Sequence, residues 1–398
     1  MLRTFVILLL IPLAALAAER PDPVAAGMDA ARLARIPVRM KEFTDGGKAA
    51  GIVTLVARHG RLAALDAVGF QEIETKTPMR IDSIFRIASL TKPVTCAGIM
   101  VLVDQGKLSL LDPVEKYLPD FKGQKTVGCL AGSGYNCGPA APKRPVNIMD
   151  LMTHVSGLPS GFPSTQTPPS TLAERVAPAG SLNLLFEPGT KWNYSNVGYA
   201  TLGRIIEVVS KQPYEQFLKT NIFDPLGMTD TSFAPTEAQR PRVAAVYTDD
   251  HGTLKRATQI ETQKGPLIPA PEGGLFSTAS DMLRFNQMML NKGKLSGKRV
   301  LSAAATQLMA TNLTGEISAG FAPGAGHGLG YEVIREAAGT YRYNSLGSIV
   351  KGGAYRTYEF VDFAKDMVGI IMLQRTNGGG DVADEINVFL AMAAAAIE

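Results

Sequence analysis

A hydroxyl and an ammonium three residues apart, at the mouth of an apolar helix, have the makings of an activated serine nucleophile. The chain carries that pattern at Ser89-Leu90-Thr91-Lys92. Pro93 is tolerated only in a first helical turn, so the spacing predicts a helix that starts near Ser89–Leu90 and runs to Asp104. Ile99, Leu102 and Val103 fall at helical spacing, and Val94, Cys96 and Met100 add apolar bulk. Ser89 then stands at the positive end of the helix dipole, with Lys92 one turn further on the same face. Chance alone supplies Ser-x-x-Lys about once in a chain of this size, and a second copy is present at Ser348–Lys351. That copy lies in a segment that reads as β-strand, where residues i and i+3 point to opposite faces. Only Ser89 and Lys92 can face each other.

A Ser–Lys nucleophile needs a group to take the serine proton, a positive charge near the developing oxyanion and two backbone donors aimed at it. Two further stretches supply candidates. Tyr194-Ser195-Asn196 opens a helical pattern, where side chains project into a cleft. Lys351-Gly352-Gly353 lies on a strand, and its glycines allow close approach of a substrate to the backbone. A phenol is a poor base at an unperturbed pKa of about 10, but two nearby ammonium groups, Lys92 and Lys351, would favour the phenolate. Other chemistries lack their residues. No G-x-S-x-G nucleophile elbow is present. Of the four histidines, His59 reads as a turn residue and His154 as a structural helix-end residue. No H-E-x-x-H or paired-cysteine set suggests a metal. Gly324–Gly330 fails both phosphate-loop patterns and reads as a turn. Neither metal nor cofactor is expected.

The three stretches in this order resemble the motifs of the serine β-lactamase and penicillin-binding-protein superfamily, and the tyrosine in the second points to its class C-like branch of class C β-lactamases, D,D-carboxypeptidases and family VIII carboxylesterases. Flanking segments are similar as well: Phe85–Lys92, Leu151–Leu158, Phe186–Gly189, Tyr194–Ile206, Pro225–Met228 and Gly273–Thr278. The resemblance spans nearly the whole chain beyond the leader. It implies an acylated Ser89, a proton-handling pair of Tyr194 and Lys92 with the formal base left open, and a supporting role for Lys351. It also implies an oxyanion hole from the N–H groups of Ser89 and Ala354, with Asn196, Gly352 and Gly353 touching substrate and Asn196 holding Lys92. One departure matters. Penicillin-recognising members usually carry hydroxyl residues at the two positions occupied here by Gly352 and Ala354, and Arg356, the nearest charge, is placed to face away. The balance moves from β-lactam to ester hydrolysis. The expectation is an enzyme that cleaves carboxylic esters, or related amides, of small molecules. A class C-like β-lactamase or D,D-peptidase is the alternative, followed by a non-catalytic penicillin-recognising cell-wall module.

The rest of the chain must position these groups. With 398 residues, 45% of them hydrophobic, it can build a large core of more than one layer. A net charge of +4, spread along the chain, excludes a nucleic-acid stripe. Residues 1–17 read as a signal peptide: Arg3, an apolar run from Phe5 to Leu16, and a small-x-small site at Ala15-Leu16-Ala17. Export to the periplasm or the medium is expected, with no membrane span afterwards. In an oxidising compartment Cys129 and Cys137, flanking a polar loop, are expected to pair, whereas Cys96 reads as a small buried hydrophobe.

In order, Asp29 caps a helical pattern interrupted by Pro37. A hairpin follows over Gly51–Val68, and helices alternate with loops to about residue 328. Strands are expected around Leu329–Arg335, Tyr341–Asn344, Ser348–Asp362 and Met367–Gln374, then a closing helix over Val382–Ile397. The fold class expected is α+β. One antiparallel sheet takes strands from both chain ends (about 18–84 and 329–398) with flanking helices, and a mostly helical unit (about 85–328) is inserted between them.

Overall fold

The computed structural model of the protein describes residues 20–128, 138–165, 167–258, 268–376 and 384–398. The proposed leader and the Cys129–Cys137 pair lie outside the described residues. Asp29 caps the first helix, α1 (Ala30–Leu33), by accepting from the N–H groups of Ala31 and Arg32. The chain breaks at Ala34 and resumes as α2 (Arg35–Asp45), so Pro37 falls in a first turn where its missing N–H costs nothing. Leu33, Ile36 and Met40 form the buried stripe.

The central sheet is antiparallel and eight-stranded. Its strands are β1 (Gly51–Arg58), β2 (Arg61–Glu72), β3 (Thr77–Pro78), β4 (Ala325–His327), β5 (Glu332–Ile334), β6 (Ile349–Gly352), β7 (Tyr358–Asp362) and β8 (Met367–Met372). The spatial order is β4-β5-β6-β7-β8-β1-β2-β3, so the strands of the two chain ends meet where β1 pairs with β8. Both faces are covered, which is why β1 and β8 read as near-continuous apolar runs rather than as alternating ones. Ile52, Val56, Val350 and Ile371 pack toward α1, α2 and the C-terminal helix; Val53, Leu55, Ile349, Val361 and Ile370 pack toward the inserted helices.

Three helices of the insertion bear on the site: α3 (Thr91–Asp104), α4 (Asn196–Ser210) and α5 (Ala279–Leu290). The last helix, α6 (Asp384–Ala395), closes the outer face against α2. Residues 91–102 of α3 are all buried, so this helix is covered on every side and forms the seam between sheet and insertion. No described helix is long and apolar enough to cross a membrane.

Three local expectations are corrected. Gly324–Gly330 is not simply a turn: it contains the edge strand β4, which shows no alternation in sequence and is defined only by its pairing with β5. Tyr341–Asn344 is not a strand. The chain makes a 3-10 turn at Gly339–Tyr341 because Tyr341 is buried with its hydroxyl donated to Glu332 at 2.6 Å. Thr278-Ala279-Ser280-Asp281 reads in the sequence as a capping box; Thr278 does cap α5, but Asp281 does not complete the box, and its carboxylate accepts instead from Asp230 N and Thr231 Oγ1, both at 2.8 Å.

Candidate active site

Ser89 sits in a 3-10 turn, Ala88–Leu90, that runs directly into α3. The segment before it is pinned: Phe85–Arg86 pairs with Phe276–Ser277, and Ile87 N donates to Leu275 O at 3.0 Å. Ala88 is held at φ 46°, a left-handed conformation that an alanine adopts only when its surroundings impose it. The turn thereby presents Ser89 at the head of the buried helix.

Lys92, one turn on, is completely buried. Its Nζ has three oxygen neighbours: Ser89 Oγ at 3.1 Å, Asn196 Oδ1 at 2.9 Å and the main-chain carbonyl of Glu272 at 2.5 Å. An ammonium has three N–H bonds and satisfies all three. A neutral amine has two, and a lone pair. Of the three neighbours only the serine hydroxyl can donate to that lone pair, so a neutral Lys92 gives its protons to Asn196 and Glu272 and accepts from Ser89. Burial, and then the positive charge of Lys351, hold Lys92 well below the usual lysine range. The geometry therefore suits both protonation states, and each fixes where the serine proton points.

When Lys92 is charged, the serine proton is left to Tyr194, whose Oη lies 2.7 Å from Ser89 Oγ. Tyr194 immediately precedes Ser195, the N-cap of α4, which accepts from Gly198 N at 3.0 Å. The cap is locked from outside as well: Ser195 Oγ donates to Pro159 O at 2.8 Å, and Ser195 N donates to His154 Nδ1 at 3.0 Å. Ser160 Oγ donates to Tyr194 O at 2.6 Å. His154 reaches this position in a left-handed conformation, φ 61°, with its ring 4.5 Å from that of Tyr194. Desolvation keeps its imidazole neutral, and it also pushes neighbouring His327 down to about 3. The wall around Tyr194 is completed by Trp192 and Phe321, with ring centroids at 6.3 and 5.0 Å.

Lys351 enters from β6, buried, with its Nζ 5.4 Å from the Tyr194 ring centroid; Lys92 Nζ stands 4.6 Å from the same ring. Gly353 follows, and glycine is required there. An added Cβ would stand 2.2 Å from Thr357 Oγ1 and 2.6 Å from Ile87 O. Thr357 Oγ1 also donates to Ile87 O at 3.0 Å. The end of β6 is thus fastened against the residues that precede Ser89, and Ala354 begins the exposed turn beyond it. Arg356 turns to α6, where it bonds Glu385 Oε2 at 3.2 Å.

Ser89, Lys92, Tyr194, Asn196 and Lys351 therefore converge, with Gly352, Gly353 and Ala354 at the rim. Sequence reasoning missed four neighbours. His154 looked like a helix-end residue, and its contact with Ser195 spans forty-one positions. His327 lay in what read as a turn. Glu272 acts through its carbonyl, which no side-chain pattern announces. Glu359 becomes visible only once the register sets it opposite Lys351. Cys96 is buried in α3 with its thiol pushed up to about 12 by desolvation. Among the described residues, no group of His, Cys, Asp or Glu is placed to hold a metal ion.

This fold and this cluster define a serine hydrolase of the β-lactamase/transpeptidase type. A family model described as Beta-lactamase matches residues 38–393, and the chain belongs to that family. It is 34% identical to Protein Rv1367c of Mycobacterium tuberculosis over 84% of this chain and 88% of that protein. It is 29% identical to Esterase EstB of Burkholderia gladioli over 89% and 93%. Among solved structures, EstCE1, described as a hydrolase with promiscuous acyltransferase activity, superposes with a TM-score of 0.75, covering 92% of this chain and 98% of that one at 23% identity. That last likeness concerns the fold.

Proposed function

We propose that the protein hydrolyses carboxylic esters through an acyl-enzyme on Ser89, with Lys92 and Tyr194 carrying the proton. One observation carries the reading: Ser89 Oγ lies within hydrogen-bond reach of both Tyr194 Oη, at 2.7 Å, and the buried Lys92 Nζ, at 3.1 Å. Ser89 Oγ attacks the ester carbonyl as its proton passes to the Tyr194–Lys92 pair. The N–H groups of Ser89 and Ala354 receive the oxyanion. The same pair returns the proton to the departing alcohol, and a water activated by Tyr194 then releases the acid and restores Ser89. Lys351, with its Nζ 5.4 Å from the ring centroid, stabilises negative charge on the tyrosine oxygen.

Esters are favoured over β-lactams by the surroundings of the third motif. Gly352 and Ala354 bring no hydroxyl, Thr357 Oγ1 is committed to Ile87 O, and Arg356 is committed to Glu385. At these four positions no described side chain is set aside to hold a drug carboxylate. The similarity to Esterase EstB over most of both chains points the same way. The test sets p-nitrophenyl esters of short and medium acyl chains beside the β-lactam nitrocefin, with mass spectrometry for the Ser89 adduct. Ester turnover that is lost in Ser89→Ala, with nitrocefin hydrolysis at least about a hundredfold weaker in kcat/KM, is expected. Efficient nitrocefin hydrolysis with negligible ester turnover reverses the ranking. Wild-type protein with neither turnover nor adduct removes the enzymatic reading. We also infer, from the leader alone, that the enzyme acts after export.

A further inference from the structure

Two lysines with almost no solvent contact stand close to the Tyr194 ring, and burying one ammonium without a counter-charge already carries a large desolvation penalty. Lys92 has its three oxygens. For Lys351 the sheet supplies a carboxyl. In the antiparallel ladder Lys351 pairs with Glu359 of β7, and directly opposed residues carry their side chains on the same face with Cβ atoms about 5 Å apart. That face points toward α5, since the neighbouring pair Ile349–Val361 lies in the core shared with the inserted helices. Glu359 is fully buried. One carboxyl oxygen, Oε2, accepts from Asn286 Nδ2 of α5 at 2.8 Å, and Asn286 is braced in turn by Tyr331 Oη at 3.4 Å. The other, Oε1, has no hydrogen-bond partner among the described residues. A fold that wanted only packing here would place an apolar side chain on this strand, as it does at Val361.

We propose that Glu359 is the counter-charge of Lys351: a positioning residue that keeps Lys351 protonated inside the protein, and so maintains the positive charge beside Tyr194 into the alkaline range. The proposal deepens the ester-hydrolase reading and rests on it for its catalytic consequence. The groups facing the pair are few. Glu359 meets Asn286 of α5, Lys351 of β6 and Tyr331, which precedes β5. The charge of Lys351 reaches Lys92, His154, His327 and Cys96, and the last three are neutral. Glu272, the other acid near Lys92, is paired with Arg175. Burial pushes the Glu359 carboxyl up to about 8, against the pull of Asn286 and Lys351. As pH rises through that range the carboxyl ionises, and the Lys351 ammonium paired with it across the ladder gains a counter-charge.

Removing the carboxyl removes that counter-charge. In Glu359→Gln the only proton the pair can lose is that of Lys351, which is buried and close to Lys92, and it leaves at lower pH. The experiment measures kcat/KM for a p-nitrophenyl ester from pH 6 to 10 in wild type, Glu359→Gln, Glu359→Asp and Lys351→Ala. Urea unfolding of wild type, Lys351→Ala, Glu359→Gln and the double variant Lys351→Ala/Glu359→Gln runs in parallel at pH 8.5. We expect the alkaline limb to move down by at least about one pH unit in Glu359→Gln, a loss of about tenfold at pH 9. The value at pH 6.5 should stay within about threefold of wild type, and Glu359→Asp should recover part of the shift. The unfolding constants should be non-additive by at least about tenfold. An alkaline limb that stays in place, or activity lowered by one factor at every pH, overturns the proposal, as do additive unfolding constants. If wild type shows neither turnover nor a Ser89 adduct, it is the ester reading that fails, and the unfolding cycle still decides whether Glu359 and Lys351 are paired.

Discussion

Tyr194→Phe removes one oxygen from the site and little else, which makes it the sharpest perturbation available. The ring keeps its contacts with His154 at 4.5 Å and Phe321 at 5.0 Å, and Ser195 keeps its capping bonds, so the phenylalanine should occupy the same place. What disappears is the 2.7 Å contact between Oη and Ser89 Oγ. If that contact merely orients the serine, its loss costs about 1 kcal/mol, less than tenfold in rate. If the phenol oxygen takes the serine proton, the loss is that of a general base, about 10²–10⁴-fold, or roughly 3–5 kcal/mol on the barrier. The two magnitudes do not overlap, so the rate decides between roles. The acylation rate is read from the pre-steady-state burst of a p-nitrophenyl ester, with a thermal melt to show that the variant is folded. We expect at least a hundredfold slower acylation, on the scale set by general-base catalysis, and a melting temperature close to that of wild type. A burst within tenfold of wild type would refute the reasoning and transfer the base function to neutral Lys92, which reaches Ser89 Oγ at 3.1 Å.

Two further outcomes follow from the same geometry. Gly203 on α4 faces Pro271, where an added Cβ would stand 2.2 Å from Cγ; Gly203→Ala must displace the Pro271–Glu272 carbonyls that receive Thr95 Oγ1 and Lys92 Nζ. A loss of about 1–3 kcal/mol in urea unfolding and at least tenfold in ester kcat/KM is expected; a fully active, equally stable variant would contradict that account of how Lys92 is held. A thiol titration should find one free thiol, Cys96, in denatured and unreduced protein, and none reacting at pH 8 in the native state, because burial holds its thiol at about 12. Three thiols in the denatured protein would rule out the Cys129–Cys137 disulfide.

What was legible in the sequence was whatever local physics fixes within a few residues. Pro93 sets the start of α3, Asp29 caps α1, and Gly51–Arg58 pairs with the strand after the His59-Gly60 turn. Ser89 and Lys92 belong here too, since one helical turn joins them. The sheet order was legible more coarsely, because strands at both termini with helices between leave few simple closures. Contacts that tertiary packing alone creates were out of reach. The carbonyl of Glu272 meets Lys92 across a hundred and eighty positions. His154 meets Ser195 through a backbone N–H. β4 owes its existence to its neighbour, and Tyr341 is drawn out of an extended conformation by a buried carboxylate. In each case the missing information was a partner, and the residue type alone looked unremarkable.

The three oxygens around Lys92 explain why the formal base resists assignment from residue types. Asn196 Oδ1 and the Glu272 carbonyl can only accept, so they draw two protons of Lys92 toward themselves in either state, and the third direction always belongs to Ser89. A charged Lys92 points a proton at Ser89 Oγ and turns the serine hydroxyl toward Tyr194. A neutral one opens its lone pair to the serine. Moving a single proton along the line Lys92–Ser89–Tyr194 converts one arrangement into the other without moving a heavy atom. The field that biases the choice comes from Lys351, which disfavours charge on Lys92 and favours a negative oxygen on Tyr194. These two effects pull the shared proton in opposite directions, since the first sends it away from the lysine and the second away from the tyrosine. In the proposed ester cleavage, the proton that neither group keeps goes to the departing alcohol.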